Sequence, residues 1–216
     1  MVAELTSFRR GIARGKVTVS YGEEVVCSCE PTVCIPQILK SIIPKRNNYN
    51  KEKGIVIDMK NGVCLDIDDL LRYQPNRYPF LMIDRVTELE AGKYAKGYKN
   101  VSNNEWYIPC HFPDDPNMPG ALQLEALSQM LTVALLSMPE LRGKSIVHGL
   151  QHSIRLKREV IPGDRLDLEA EIISWKRGIC KGIGTGKVDG EIACEAEMMI
   201  SIPDIFKSYL PRIKKE

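Results

Sequence analysis

The chain has 216 residues, of which 44% are hydrophobic and 27% are charged, and its formal net charge is +2. This composition is typical of a globular protein with one domain and an appendage, or with two small domains. The small net charge argues against a nucleic-acid partner, and the lack of about 18 consecutive apolar residues argues against a membrane helix.

The first part of the chain, residues 1–65, is predicted to be a small α/β extension whose role the sequence does not reveal. Strands are predicted at residues 16–20 and 24–29, around a turn at Tyr21-Gly22. Apolar residues at helical spacing predict a short helix over residues 31–43, and Asn61-Gly62 predicts a hairpin over residues 54–66.

The seven cysteines are an odd number and are scattered along the chain, which favours a reduced, cytoplasmic protein. The N-terminus also lacks the long apolar core of a secretory signal. Cys27, Cys29 and Cys34 have a spacing that would suit a metal, but no histidine or further cysteine lies near to complete a tetrahedral set. We therefore predict that they are small buried hydrophobic residues, and we expect no metal.

The second part, residues 66–216, is predicted to be one larger α+β domain. Asp66 is a suitable cap for a helix over residues 66–72, and paired strands are predicted at 81–86 and 94–101. Pro119 begins a helix that runs to about residue 139 and is apolar around most of its circumference, so it should be buried on all sides. Four β-patterned segments separated by glycine turns then predict an antiparallel sheet: residues 145–156, 164–176, 178–188 and 191–202.

The segment from His111 to Gln129 carries the most specific pattern of the chain. It places His111 on a proline-rich loop, Gly120 at the start of the long helix, and Glu125 inside that helix. Prolines at 113, 116 and 119 constrain the loop around these residues. Together these residues could remove a weakly acidic proton from one carbon and expel hydroxide from its neighbour.

This segment resembles the signature of the beta-hydroxyacyl-[acyl carrier protein] dehydratase family (FabZ-type). The resemblance covers about residues 66–202 in the family's order and spacing. It implies a hot-dog fold, in which a curved antiparallel sheet wraps around a long buried helix. The matching segments are residues 75–85, 99–105, 111–129, 155–164 and 188–199.

The resemblance also implies a reaction, the dehydration of (3R)-3-hydroxyacyl-[acyl carrier protein] to the trans-2-enoyl thioester, with no cofactor. A neutral imidazole at His111 would be the base. A carboxyl in apolar surroundings tends to keep its proton, so Glu125 would be the acid. The N–H of Gly120 would bind the thioester oxygen.

The partners that the resemblance implies are the acyl carrier protein, with its phosphopantetheine thioester, and a second copy of the chain. His111 of one subunit would meet Glu125 of its partner in a homodimer, and a trimer of dimers is an open alternative. A basic cluster near the hairpin ends could receive an acidic carrier protein, although a solvated sheet face explains it equally well: Lys157, Arg158, Lys176, Arg177 and Lys181.

Several positions leave alternatives open. Gln129, one turn after Glu125, could support the site or serve the dimer interface. His148 and His152 share one face of a strand, where a surface or interface role is favoured over a metal. The family usually has histidine, glycine, glycine and valine at four positions where this chain differs, which leaves the strength of its activity open: Asn76, Cys110, Asp114 and Ala121.

Two other functions remain as alternatives to the dehydratase. A hot-dog acyl thioesterase would use the helix carboxylate and water, and the His-Phe-Pro loop argues against it. A non-catalytic acyl-carrier-binding protein is suggested by the loop differences and the N-terminal extension. A side activity as a double-bond isomerase is disfavoured, because the isomerising branch of the family usually has aspartate in place of Glu125.

Overall fold

The computed structural model describes residues 1–34 and 65–209, apart from the side chains of residues 34 and 148–151. The chain divides into two compact units, residues 1–56 and 57–216. The predicted hairpin over residues 54–66 and most of the predicted helix over 31–43 lie outside the described residues. In the described part, no helix is long and apolar enough to cross a membrane.

The first unit contains an antiparallel sheet of β1 (Val2–Arg9), β2 (Ile12–Tyr21), β3 (Glu24–Cys29) and β4 (Thr32–Cys34). The strand order is β1-β2-β3, and β4 also pairs with β2. The two predicted strands are present, and the first is longer than predicted. The prediction of a helix from residue 31 is wrong for residues 32–34, which pair with β2 instead.

The cysteines of this sheet differ from the sequence prediction. Cys27 and Cys29 lie in β3 and are exposed, so the prediction that they are buried is wrong. The described residues of the chain contain no group of ligands that could hold a metal ion.

The first helix described in the second unit is α1 (Ile67–Tyr73), whose N-cap is Asp66, as predicted. The Asp66 side chain accepts a hydrogen bond from the Asp69 N–H, which satisfies one of the free amides at the helix start. Strands β5 (Arg85–Glu90) and β6 (Tyr94–Asn100) follow and pair with each other. The predicted strand over 81–86 is therefore wrong for residues 81–84, which precede β5. In this segment the Met82 N–H donates to the side chain of Gln129 in the long helix.

The long helix is α2 (Gly120–Leu136), and thirteen of its residues are buried. Pro119 was predicted to be its first residue but is its N-cap, so the helix begins one residue later than predicted. The helix ends at Leu136, before the predicted residue 139. Just after this end, the Ser137 hydroxyl donates to the Ala134 carbonyl. A helix that is apolar nearly all round needs cover on every side, and the sheet provides part of that cover.

The predicted antiparallel sheet is present, and β5 and β6 are joined in it by β7 (Val147–Leu156), β8 (Arg165–Lys176), β9 (Ile179–Val188) and β10 (Glu191–Ser201). The strand order is β5-β6-β8-β9-β10-β7, which the sequence did not predict. Glycines at its centre let α2 approach closely: a Cβ on Gly182 would lie 2.4 Å from Cδ1 of Leu131. A short helix, α3 (Pro203–Phe206), follows β10.

Candidate active site

His111 lies near the middle of the loop between β6 and α2, and its ring is held by the loop backbone. The Nδ1 atom lies 3.2 Å from the carbonyl oxygen of Asn117. Because a carbonyl can only accept, Nδ1 carries the hydrogen in a neutral ring and Nε2 keeps its lone pair. The Asn117 N–H also donates to the His111 carbonyl at 2.9 Å, and the ring stacks on Phe112. This arrangement leaves a half-buried imidazole with Nε2 ready to accept a proton.

A buried cation fixes the beginning of the same loop. Nζ of Lys99 lies 3.1 Å from Oδ1 of Asp84 and 2.6 Å from Oε1 of Glu105, and only 8% of the Lys99 side chain is exposed. Paired and hydrogen-bonded charges are what allow a lysine to be buried. The cluster therefore ties β6 to the loop that leads to His111.

Gly120 is the first residue of α2, directly after the loop. No hydrogen bond from its N–H is present among the described residues, so the amide is available at the positive end of the helix dipole. A Cβ at this position would lie 2.4 Å from Cδ1 of Leu156 in β7. The position therefore needs glycine for packing, and it also presents a free N–H donor.

Glu125 lies in the second turn of α2, half-buried, with both of its described hydrogen bonds on one oxygen. Oε1 accepts from Nδ2 of Asn76 at 3.1 Å and from Nε2 of Gln129 at 2.7 Å. Oε2 has no hydrogen bond among the described residues. The carboxyl group is therefore fixed through one oxygen, and the other oxygen is not engaged by the described residues.

Gln129 is fully buried, and the described hydrogen bonds of its side-chain amide go to Glu125 and to residues just before β5. Its Nε2 also donates to the Phe80 carbonyl at 2.7 Å, and its Oε1 accepts from the Met82 N–H at 2.8 Å. The side chain thus links the Glu125 carboxyl to the chain that precedes β5. Within one chain, no described hydrogen bond joins His111 to Glu125.

The family model of the FabA-like domain matches residues 74–197, which is more than half of the chain. The chain belongs to the FabA-like family. The match contains the whole candidate site and begins after the first unit.

Two FabA-like relatives are similar over nearly their whole length. The 3-hydroxyacyl-[acyl-carrier-protein] dehydratase FabZ of Bacillus licheniformis is 51% identical over 138 residues, covering 64% of this chain and 96% of the relative. The enzyme of the same name from Moorella thermoacetica is 51% identical over 128 residues, covering 59% of this chain and 90% of the relative.

Among solved structures, a chain of the dehydratase heterocomplex ApeI:P from Xenorhabdus doucetiae matches with a TM-score of 0.54 at 16% identity. The match covers 62% of this chain and 90% of that chain. At this identity the likeness concerns the fold alone. The hot-dog fold predicted from the sequence is confirmed.

The sequence named His111, Gly120, Glu125 and Gln129, and the structure places Gln129 against Glu125. The hydrogen bond from Asn76 to Glu125 was not predicted, although the family usually has histidine, another possible donor, at this position. The role of Asn117 in holding the imidazole was also missed, because a backbone carbonyl leaves no mark on the sequence.

Of the other positions that differ from the family, Cys110 and Asp114 lie at the surface of the loop, and Ala121 is exposed in the first turn of α2. Cys110 is exposed, and its Sγ donates to the Tyr107 carbonyl at 3.2 Å. Asp114 is exposed and forms no ion pair with His111 among the described residues. Of the basic cluster, Lys157 and Arg158 already pair with acidic groups of the same unit.

Proposed function

We propose that this FabA-like protein dehydrates (3R)-3-hydroxyacyl-[acyl carrier protein] to the trans-2-enoyl thioester and water. The observation that carries the proposal is the 51% identity to the FabZ dehydratase of Bacillus licheniformis across 96% of that enzyme. The same reaction suits a site with an imidazole, a carboxyl group and a free amide. We place the reaction in the cytoplasm.

The proposed chemistry divides the elimination between two side chains. Nε2 of His111 takes a proton from C2 of the acyl chain, and the C2–H electron pair forms the C2=C3 double bond. The C3–O bond breaks as Glu125 gives its proton to the departing hydroxyl, so that water leaves. Because Asn76 and Gln129 both donate to Oε1, the transferred proton belongs on Oε2.

The Gly120 N–H completes this mechanism by binding the thioester oxygen. Negative charge develops on that oxygen while the C2 proton is removed, and an amide fixed at a helix N-terminus stabilises it without reorganisation. The chain's own residues supply the base, the acid and the oxyanion donor, and the mechanism uses no metal or redox cofactor.

The proposal requires two copies of the chain, with His111 of one subunit serving Glu125 of its partner. The separate anchoring of these residues within one chain is consistent with this arrangement. Strand β7 is a sheet edge of ten residues, and a second copy could pair with it. The acyl carrier protein would deliver the substrate on its phosphopantetheine arm, and assembly beyond the dimer is left open.

The direct test is turnover of a 3-hydroxyacyl carrier thioester, followed by the ultraviolet absorbance of the conjugated product. We expect activity in the wild type and losses of at least about a hundredfold in His111→Ala and Glu125→Gln. Equal activity in all three proteins would refute the assignment. Release of free thiol from an unhydroxylated thioester would favour the thioesterase alternative, and tight carrier binding without turnover would favour the non-catalytic one.

A further inference from the structure

The first unit repeats, in sequence, the last three strands of the FabA-like unit. Residues 1–34 align without a gap to residues 168–201, with each number differing by 167, as for Gly11 and Gly178. The alignment contains eleven identical pairs, and the sequence match continues at Pro36 and Pro203. The identical residues in the first copy are Ala3, Glu4, Ser7, Arg10, Gly11, Ile12, Gly15, Thr18, Glu24, Cys27 and Glu30.

The turn between the first two strands is the same in both copies. Arg10 and Gly11 have φ angles of 50° and 78°, and Arg177 and Gly178 have 52° and 79°. An arginine in this left-handed region is uncommon, and here it occurs at the same place twice.

Strand pairing also coincides, including the irregularities. In the first copy the register shifts between Leu5 and Ser7, and in the second it shifts between Ile172 and Ser174. A shift between β2 and β3 corresponds in the same way to a shift between β9 and β10. Since a bulge is a specific local feature, its repetition shows that β1 to β4 reproduce β8 to β10.

The repeated sheet has one apolar face. In the FabA-like unit the corresponding face covers α2, and Cys180, Cys194 and Ile200 on it are fully buried. In the first unit Leu5 is 71% exposed and Phe8 is 52% exposed. The face consists of Ala3, Leu5, Phe8, Ala13, Gly15, Val17, Val19, Cys27, Cys29 and Val33.

The partners that complete this sheet in the FabA-like unit are missing from residues 1–34. No helix lies within these residues. Strand β8 pairs with β6 and β10 pairs with β7, but the outer edges of β1 and β3 have no partner strand among the described residues. Residues 1–34 thus correspond to one half of a hot-dog arrangement, and in the FabA-like unit the other half is a helix with strands before and after it.

We propose that the apolar face of the first unit is a docking surface for the central helix of a second FabA-like half. That half is a strand–helix–strand segment distinct from α2. The helix α2 is already buried by its own sheet, so another copy of this chain cannot supply it without unfolding. The sheet recognises such a half by burying its apolar helix against the exposed face and by pairing its strands with the two outer edges of the sheet.

Side-chain size defines the helix that fits. Val17 replaces Gly184, where a Cβ would lie 3.2 Å from the Leu127 Cβ. Gly15 corresponds to Gly182, which faces Leu131. The docked helix therefore needs a small residue at the position of Leu127 and keeps a large one at the position of Leu131.

Two cysteines on this face allow the proposal to be tested on the full chain. Cys27 and Cys29 are exposed, whereas Cys194, the counterpart of Cys27, is buried. Alkylation by iodoacetamide, read by mass spectrometry, therefore reports on coverage of the face. Cys194 serves as the protected reference, and Cys110, exposed in the FabA-like unit, serves as the reactive one.

The probe is residues 119–138 carrying Leu127→Ala, fused to a soluble domain without cysteine, and the matched control keeps Leu127. We expect the probe to slow alkylation of Cys27 and Cys29 by at least about tenfold and to leave Cys110 unchanged, with less protection by the control. Failure of both helices to protect would overturn the proposal. Protection of Cys27 without any probe would also overturn the proposal. Protection at every protein concentration would mean that the chain covers the face itself, and protection that grows with protein concentration would mean that a second copy covers it.

Discussion

Gln129 donates a hydrogen bond from Nε2 to Oε1 of Glu125, one helical turn earlier, at 2.7 Å. The same amide satisfies the Met82 N–H and the Phe80 carbonyl. One side chain therefore couples the position of the proposed acid to the folding of the chain before β5.

Replacing Gln129 by methionine should lower both stability and activity. The change leaves the buried Met82 N–H and the part-buried Phe80 carbonyl without partners, which should cost about 2–4 kcal/mol of unfolding free energy. Gln123→Met is the matched control, since Gln123 is also buried in α2 but has one described bond, to the Met118 carbonyl. Denaturant unfolding should show a smaller loss for the control, and equal losses would contradict this account.

Asn76 should contribute to catalysis more than to stability. Asn76→Ala removes one donor from Oε1 of Glu125, which lets the carboxyl group rotate away from its reactive position. We expect kcat to fall by about tenfold, the equivalent of roughly 1.4 kcal/mol. Asn76→His restores a donor and should retain most of the activity. An unchanged kcat in Asn76→Ala would show that Gln129 alone positions the carboxyl.

Mixing two inactive variants tests whether the site is shared between subunits. A dimer of one His111→Ala chain and one Glu125→Gln chain would contain one intact site and one doubly altered site. Subunit exchange in an equal mixture should therefore restore about a quarter of wild-type activity. If each chain forms its own site, the mixture stays inactive. Size-exclusion chromatography with two tagged variants confirms that exchange has occurred.

The elements that the sequence predicted well are those whose signal is local. Apolar residues around the whole of Gly120–Leu136 predicted a buried helix, and glycine turns marked the hairpins of the large sheet. Residues 32–34 were assigned to a helix because their apolar spacing suits one, whereas pairing with β2 decided their structure. Pairing depends on a distant strand, which periodicity within a window cannot represent.

The residues of the candidate site also divide into those with a local sequence signal and those without one. A motif of nineteen residues contains His111, Gly120, Glu125 and Gln129, so a linear pattern could name them. Asn76 is separated from Glu125 by 49 positions, and no local pattern connects them. The repeat of the last three strands was visible only by comparing the chain with itself.

The size rule proposed for the docked helix can be tested within the FabA-like unit. Gly184→Val places extra methyl groups against Leu127 and against the flexible end of Met198, and we expect a loss of about 2–4 kcal/mol. Leu127→Ala alone creates a cavity and should also destabilise the unit. The double variant should be more stable than the sum of the two losses predicts. A coupling energy near zero in this double-mutant cycle would remove the basis for the size rule.

Two buried thiols should make the protein less stable at high pH. Burial raises the pKa of Cys180 to about 12 and that of Cys194 to about 11, from the ordinary value of 9.0. Below pH 9 both thiols are neutral in the folded and unfolded states, so their contribution is fully present. As the pH rises above 9, only the unfolded state loses these protons, and stability falls until the folded thiols titrate.

The measurement is the free energy of unfolding between pH 8 and pH 10.5 for the wild type and for Cys194→Ala, which has no thiol at that position. The wild type should lose more stability across this range than Cys194→Ala does. The difference should grow by about 1.4 kcal/mol for each pH unit well above the unfolded pKa. Cys110→Ala is the matched control, because Cys110 is exposed. Parallel pH profiles for all three proteins would mean that the Cys194 thiol ionises equally easily in both states, and that β10 is not sealed against α2.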